Sequence, residues 1–234
     1  GVQTISLATV LPTLTGETTL DASTQPGYAG TPLIRIDGNN SVANGITVGA
    51  TGDNSSIRGL MITRFTADGI NIVSGADNIS IAGNWIGTTG TGSTGVGNGD
   101  DGIDIAGSNA IIGGTGAFDR NVITNNADEG ISVVGSGVTG HVIQGNYIGV
   151  DPDGSSGGGN VDVGLAIISG SGNTIGGTSA VARNVISKNN EGIEINTSNN
   201  VVQGNYIGTD ATGTQARGNR LGDGVQIQGG SSGN

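Results

Sequence analysis

A carboxylate precedes the glycine in five of six copies of a Gly-apolar-x-apolar word: Asp68, Asp101, Glu129, Glu191 and Asp223, with Val163 the exception. Asp104 lies inside the second copy, GIDI. Two carboxyls roughly 6.5–9.5 Å apart, one protonated and one activating water, can hydrolyse a glycosidic bond. Asp68, Asp101 and Asp104 are the candidates for that chemistry. A longer row of carboxylates repels itself unless it is solvated or bridged by cations. A second acidic set stands in VDPDGSSGGGNVD, residues 150–162, where Asp151, Asp153 and Asp162 are candidate oxygen ligands. Calcium, which takes six to eight oxygens in flexible loops, is the candidate cofactor there. A solvated acidic turn is the alternative. His141 is the only histidine and Lys188 the only lysine. His141 reads as a surface residue, and no serine has the histidine and acid partners that a nucleophile needs.

The elements that position these residues follow from repetition. GNWIGTT at 83–89 returns as GNYIGVD at 145–151 and GNYIGTD at 204–210, at intervals of 62 and 59. The GIxI words, from GINI at 69–72 to GVQI at 224–227, are spaced 33, 28, 34, 28 and 32. Short and long spacings alternate, so each unit of about 60 residues holds two turns of a solenoid. One turn reads as three short strands with polar corners, such as NVIS (184–187), GIEI (192–195) and NVVQ (200–203). Within each strand apolar and polar residues alternate, which places one face in a core. The expected fold is an all-β, right-handed parallel β-helix of about eight turns, roughly 40 Å long at the usual strand spacing.

Stacking makes ladders. Ile86, Ile123, Ile148, Ile186 and Ile207 share one register and should form an interior column. Asn84, Asn121, Asn146, Asn184 and Asn205, two residues earlier, should pair their amides from turn to turn. Trp85, Tyr147 and Tyr206 precede the interior isoleucines and point outward, so they are candidate ligand-binding rings. Two uses are open: stacking on sugar rings, or burial under the long loops that follow only the aromatic-bearing turns. Residues 1–44 lack the repeat words and read as a cap on the array at 45–234. The final GGSSGN matches SGSGN at 169–173, which is followed at once by a strand, so a longer array is expected. An open end of that kind invites self-association.

Composition narrows the function. The chain has 234 residues, 48 glycines, no cysteine and a net charge of −11, which repels phosphate backbones and excludes nucleic acid as a partner. No apolar run approaches the ~18 residues of a membrane span. The absence of cysteine fits an exported protein, and no signal peptide is present.

GNYIGTDATGT (204–214), the GIxI words and NTIGGT (173–178) together resemble the right-handed parallel β-helix repeat proteins of bacterial cell surfaces. The resemblance covers nearly the whole chain. It implies an extracellular location, with polysaccharide or other surface proteins as partners, and an architecture near pectate lyases and polygalacturonases. ADGINI and GDDGIDI resemble polygalacturonase strand motifs, but Glu129 stands where that family has a histidine. A polysaccharide lyase would need calcium and a basic residue beside it, which the acidic strand faces lack. The resemblance therefore implies a non-enzymatic structural or adhesive rod, with a carbohydrate-active β-helix as the alternative.

Overall fold

A computed structural model describes residues 1–234. The chain coils into three all-parallel sheets of eight, seven and seven strands. Sheet one runs from Gln3–Ser6 through Trp85–Ile86 and Val122–Ile123 to Tyr206–Ile207. Sheet two holds the GIxI words, from Ile46–Val48 to Val225–Ile227. Sheet three begins at Thr19–Asp21 and ends at Val201–Gln203. From Ile34–Asp37 onward, successive strands visit the three sheets in turn, giving the right-handed parallel β-helix that the spacing implies. The helical content is two single turns, Ala22–Thr24 and Ala180–Ala182. Segment 1–44 supplies strands to sheets one and three, with Ile5 opposite Ile36 and Leu20 opposite Ile57.

Alternation inside the strands builds four apolar columns. In sheet one, Ile62, Ile86, Ile123, Ile148, Ile186 and Ile207 lie in one register. Sheet two contributes two columns, for example Ile70, Ile103 and Ile131, and beside them Ile72, Ile105 and Val133. Sheet three adds Ile57, Ile81, Ile112, Ile143 and Ile175. These branched side chains are fully buried through the middle turns. Each large aliphatic side chain withdrawn from water contributes about 1.5–3 kcal/mol. The glycine that opens each GIxI word sits where the backbone enters sheet two. A Cβ at Gly102 would come within 2.5 Å of the Gly130 carbonyl and 2.6 Å of Ile123 Cγ2. Any side chain there would force the turns apart.

Asparagines close the corners. In the anticipated column, the backbone N–H of Asn121 donates to Asn146 Oδ1 at 3.2 Å, and its Nδ2 donates to the same oxygen at 3.0 Å. Asn121 Nδ2 also donates to the Ile81 carbonyl of the previous turn. A second column that the sequence reading missed, Asn98, Asn126, Asn160, Asn189 and Asn219, repeats this geometry. It was hidden by loop length. Eleven residues separate Ile86 from Asn98, but only two separate Ile123 from Asn126. A third column joins Asn173, Asn200 and Asn234.

His141 belongs to that third column and not to the surface, where the sequence placed it. It is fully buried, its Nδ1 accepts the Ala110 N–H at 3.1 Å, and its own N–H donates to Asn173 Oδ1 at 3.0 Å. HVIQGN therefore stands for NVVQGN, which was the available signal.

Candidate functional site

The outer side of sheet two carries the carboxylates. Because strands stack in register, Asp68, Asp101, Glu129, Val163 and Glu191 follow one another at the entry to successive strands, and the backbone ladder ties them. Gly69 N–H donates to the Asp101 carbonyl, and Gly102 N–H to that of Glu129. Three residues further along each strand run Asn71, Asp104 and Ser132. Asp68 and Asp101 are more than nine-tenths buried. Asn71 Nδ2 donates to Asp68 Oδ2 at 2.9 Å and to Asp104 Oδ2 at 3.5 Å, so one amide links two candidate carboxyls. The Glu129 N–H donates to Asp101 Oδ1 at 3.0 Å.

Burial, reinforced by Glu129 and Asp68, pushes Asp101 up to about 9. Burial and the Asp68 charge push Asp104 up to about 6. Burial also raises Asp68, Asp128 and Glu129, and every charged neighbour acting on these groups is another carboxylate. At neutral pH, Asp101 is thus held as a carboxylic acid beside Asp104, a stronger acid that is mostly ionised. Such a set can donate a proton or hold a hard cation. Carboxyl oxygens of Asp100, Asp101 and Asp128 lie within 4.8 Å of one another, as do those of Asp128, Glu129 and Asp162.

The three candidate calcium ligands do not converge. Asp162 joins Asp128 and Glu129 on the sheet-two face, because its strand entry stacks on theirs. Asp151 is fully buried, and its Oδ2 accepts Gly92 N–H at 2.8 Å and Ser156 Oγ at 3.2 Å. Asp153 accepts the N–H groups of Ser155 and Ser156, both at 2.9 Å, and Ser156 Oγ at 2.7 Å. Both carboxylates pin the 149–159 loop.

The three aromatics line up on sheet one under loops. Tyr147 is buried, while Trp85 and Tyr206 are half-buried. The Arg120 guanidinium lies 4.0 Å from the Tyr147 ring centre and that of Arg183 3.9 Å from Tyr206. A Cβ on Gly154 would reach within 3.0 Å of Tyr147 Oη, so the loop lies directly on the ring. Trp85 fronts a cleft of about 260 Å³ with Phe118, Arg120 and Pro152.

No protein-family model, curated protein or solved structure matches the chain.

Proposed function

We propose that the chain is a non-enzymatic, extracellular rod segment of a larger bacterial surface protein, structural or adhesive in role. The observation that carries this reading is the continuity of the stack. Four apolar columns and three polar columns run from turn to turn, so a stiff shaft is what the stacked, buried side chains build. The arginines near rings bind the shaft itself, Arg120 donating to the Gly145 carbonyl and Arg183 to the Gly204 carbonyl, and the carboxylate face has no basic residue among its charged neighbours. Polysaccharide or other surface proteins are the partners that such a rod would meet. No helix is long and apolar enough to cross a membrane. Reducing-end and unsaturated-product release from a panel of polysaccharides, with and without Ca²⁺, is the test. A blank panel is expected, and product from any member overturns the reading.

One observation favours a second reading, a carbohydrate-active β-helix. Asp101 is held protonated beside Asp68 and Asp104, which is the environment of a general acid next to a base. On that reading, Asp101→Asn abolishes product release while leaving the fold intact.

A further inference from the structure

We propose that the cleft between the second and third long loops binds an acidic sugar unit, a hydroxylated ligand carrying a carboxylate or a sulfate. This rests on the adhesive part of the reading above only for the setting in which such a ligand is met. The cleft, about 500 Å³, is walled by Asp153, Ser155 and Ser156 from one loop and by Arg217 from the next. Its floor is Lys188, from the short turn between them. The volume suits one or two sugar rings.

Charge is the first argument. The chain has eight cationic side chains against nineteen acidic ones, yet its only lysine meets an arginine here. Lys188 N–H donates to the Arg217 carbonyl at 3.2 Å, which fixes the two residues side by side. Arg217 is fixed in place: its Nε donates to the Ser155 carbonyl at 3.0 Å, its Nη2 to Ser155 Oγ at 2.9 Å and its Nη1 to the Ala216 carbonyl at 2.8 Å, which leaves one further N–H on each Nη. Arg220 reaches the Gly158 carbonyl of the same loop. The ion pairs within 4 Å join Arg35 and Arg64 to Asp37 and Arg58 to Asp119; Lys188 is not among them, and the acidic group its charge acts on is Asp153 in the wall of the same cleft.

The repeat supplies a comparison within the same molecule. The first and second long loops straddle another short turn, in which Asn125 occupies the place of Lys188. Both residues are left-handed, with φ of 66° and 70°. Over Asn125 the gap is shut: Gly92 N–H donates to Asp151 Oδ2, and Asn125 Nδ2 donates to the Gly87 carbonyl at 3.1 Å. Over Lys188 the loops are bridged as well, by Arg217 to Ser155 and by the Ala211 N–H to the Gly154 carbonyl at 2.8 Å, but a cleft remains between them. Asparagine adopts this backbone state readily and lysine seldom does. A lysine kept there, at the bottom of the cleft, points to a use for its charge.

The walls select for more than an anion. Asp153 faces the same space and repels a bare anion, but its Oδ2, which holds only the Ser156 hydroxyl, and Ser156 Oγ can accept hydroxyl donors, whereas Ser155 Oγ is taken by Arg217. A ligand with its negative group on Lys188 and Arg217 and its hydroxyls on Asp153 matches both sides.

Titration calorimetry on the purified chain tests this with a uronic-acid trisaccharide, a sulfated disaccharide, their neutral counterparts and inorganic sulfate. At least one acidic sugar is expected to bind, with neutral sugars and inorganic sulfate at least tenfold weaker, and the pattern identifies the anion. Lys188→Asn should weaken binding tenfold or more with Tm unchanged, because Asn125 shows that asparagine fits this backbone. Arg217→Gln provides a second variant, expected to weaken binding likewise. Three results overturn the proposal: no heat with either acidic sugar, inorganic sulfate binding as tightly, or affinity unchanged in both variants. Each leaves the rod reading standing, whereas product release in the polysaccharide panel overturns the rod reading and not this one.

Discussion

At the residue scale, two buried titratable groups act in opposite directions. His141 fills an asparagine position with its Nε2 unpartnered, and burial brings its pKa down to about 4. The unfolded chain, with an ordinary histidine near 6.5, takes up the proton first. Stability is therefore intact above pH 6.5 and falls by about 3 kcal/mol as pH drops to 4. His141→Asn is expected to remove this loss, because Oδ1 can accept the Ala110 N–H and Nδ2 can meet Asn173 as elsewhere in the ladder. Urea melts at pH 7 and pH 4.5 would check it; an equal loss in both proteins refutes the account. Asp101 behaves inversely. Raised in the folded state to about 9, it contributes stability at low pH that is lost as pH rises from about 4 through 9. Asp101→Asn keeps an oxygen for the Glu129 N–H and removes the proton uptake that folding demands of Asp101 above pH 4. It should raise Tm at pH 8 by roughly 2–4 °C, the shift that about 1 kcal/mol gives a chain of this size.

At the element scale, each corner column is a chain of amides in which one residue serves three turns. Asn146 accepts from both nitrogens of Asn121 and donates to the Ile112 carbonyl and to Asn184 Oδ1. Buried groups left unpaired cost about 1–3 kcal/mol each, so Asn146→Ala should destabilise by roughly 3 kcal/mol or more. Asn205→Ala, at a half-exposed position in the last turn, should cost clearly less. Equal costs in chemical denaturation would mean that the ladder is not cooperative along its length. The long loops are a second kind of element. Tyr206→Ser should lower Tm through loss of the Arg183 contact and the packing beneath Gly213. If Tm holds and sugar binding falls, the ring belongs to a ligand surface.

At the scale of the whole molecule, the shaft is apolar inside but carries an acidic strip on sheet two, interrupted at Val163. Asp68, Asp104, Asp128 and Glu129 all have raised pKa values, and each raised carboxylate subtracts stability as pH climbs. Asp104 loses its share between about pH 4 and 6, so thermal melts from pH 9 down to 6.5 are expected to show a rising Tm carried by Asp101, with added salt raising Tm most at the alkaline end, where screening matters. A Tm flat across that range would mean that solvent already neutralises the strip.

Fold and site were legible to different degrees, and for one reason. Strand alternation and a spacing of about 30 residues are local properties, so the sequence by itself determined the three-sheet solenoid, the isoleucine column through Ile207 and the amide ladder through Asn205. It also placed Asp68, Asp101 and Glu129 on successive strand entries. What needed the tertiary structure was every pairing that crosses a loop of variable length. Eleven-residue excursions hid the Asn98–Asn219 column. They also led the sequence reading to group Asp162 with Asp151 and Asp153 when stacking sends it to Asp128 and Glu129. Lys188 and Arg217 lie 29 positions apart, and no motif joins them. They meet because a short turn lies between two long loops, and register along the axis, not distance along the chain, decides which side chains share a cleft.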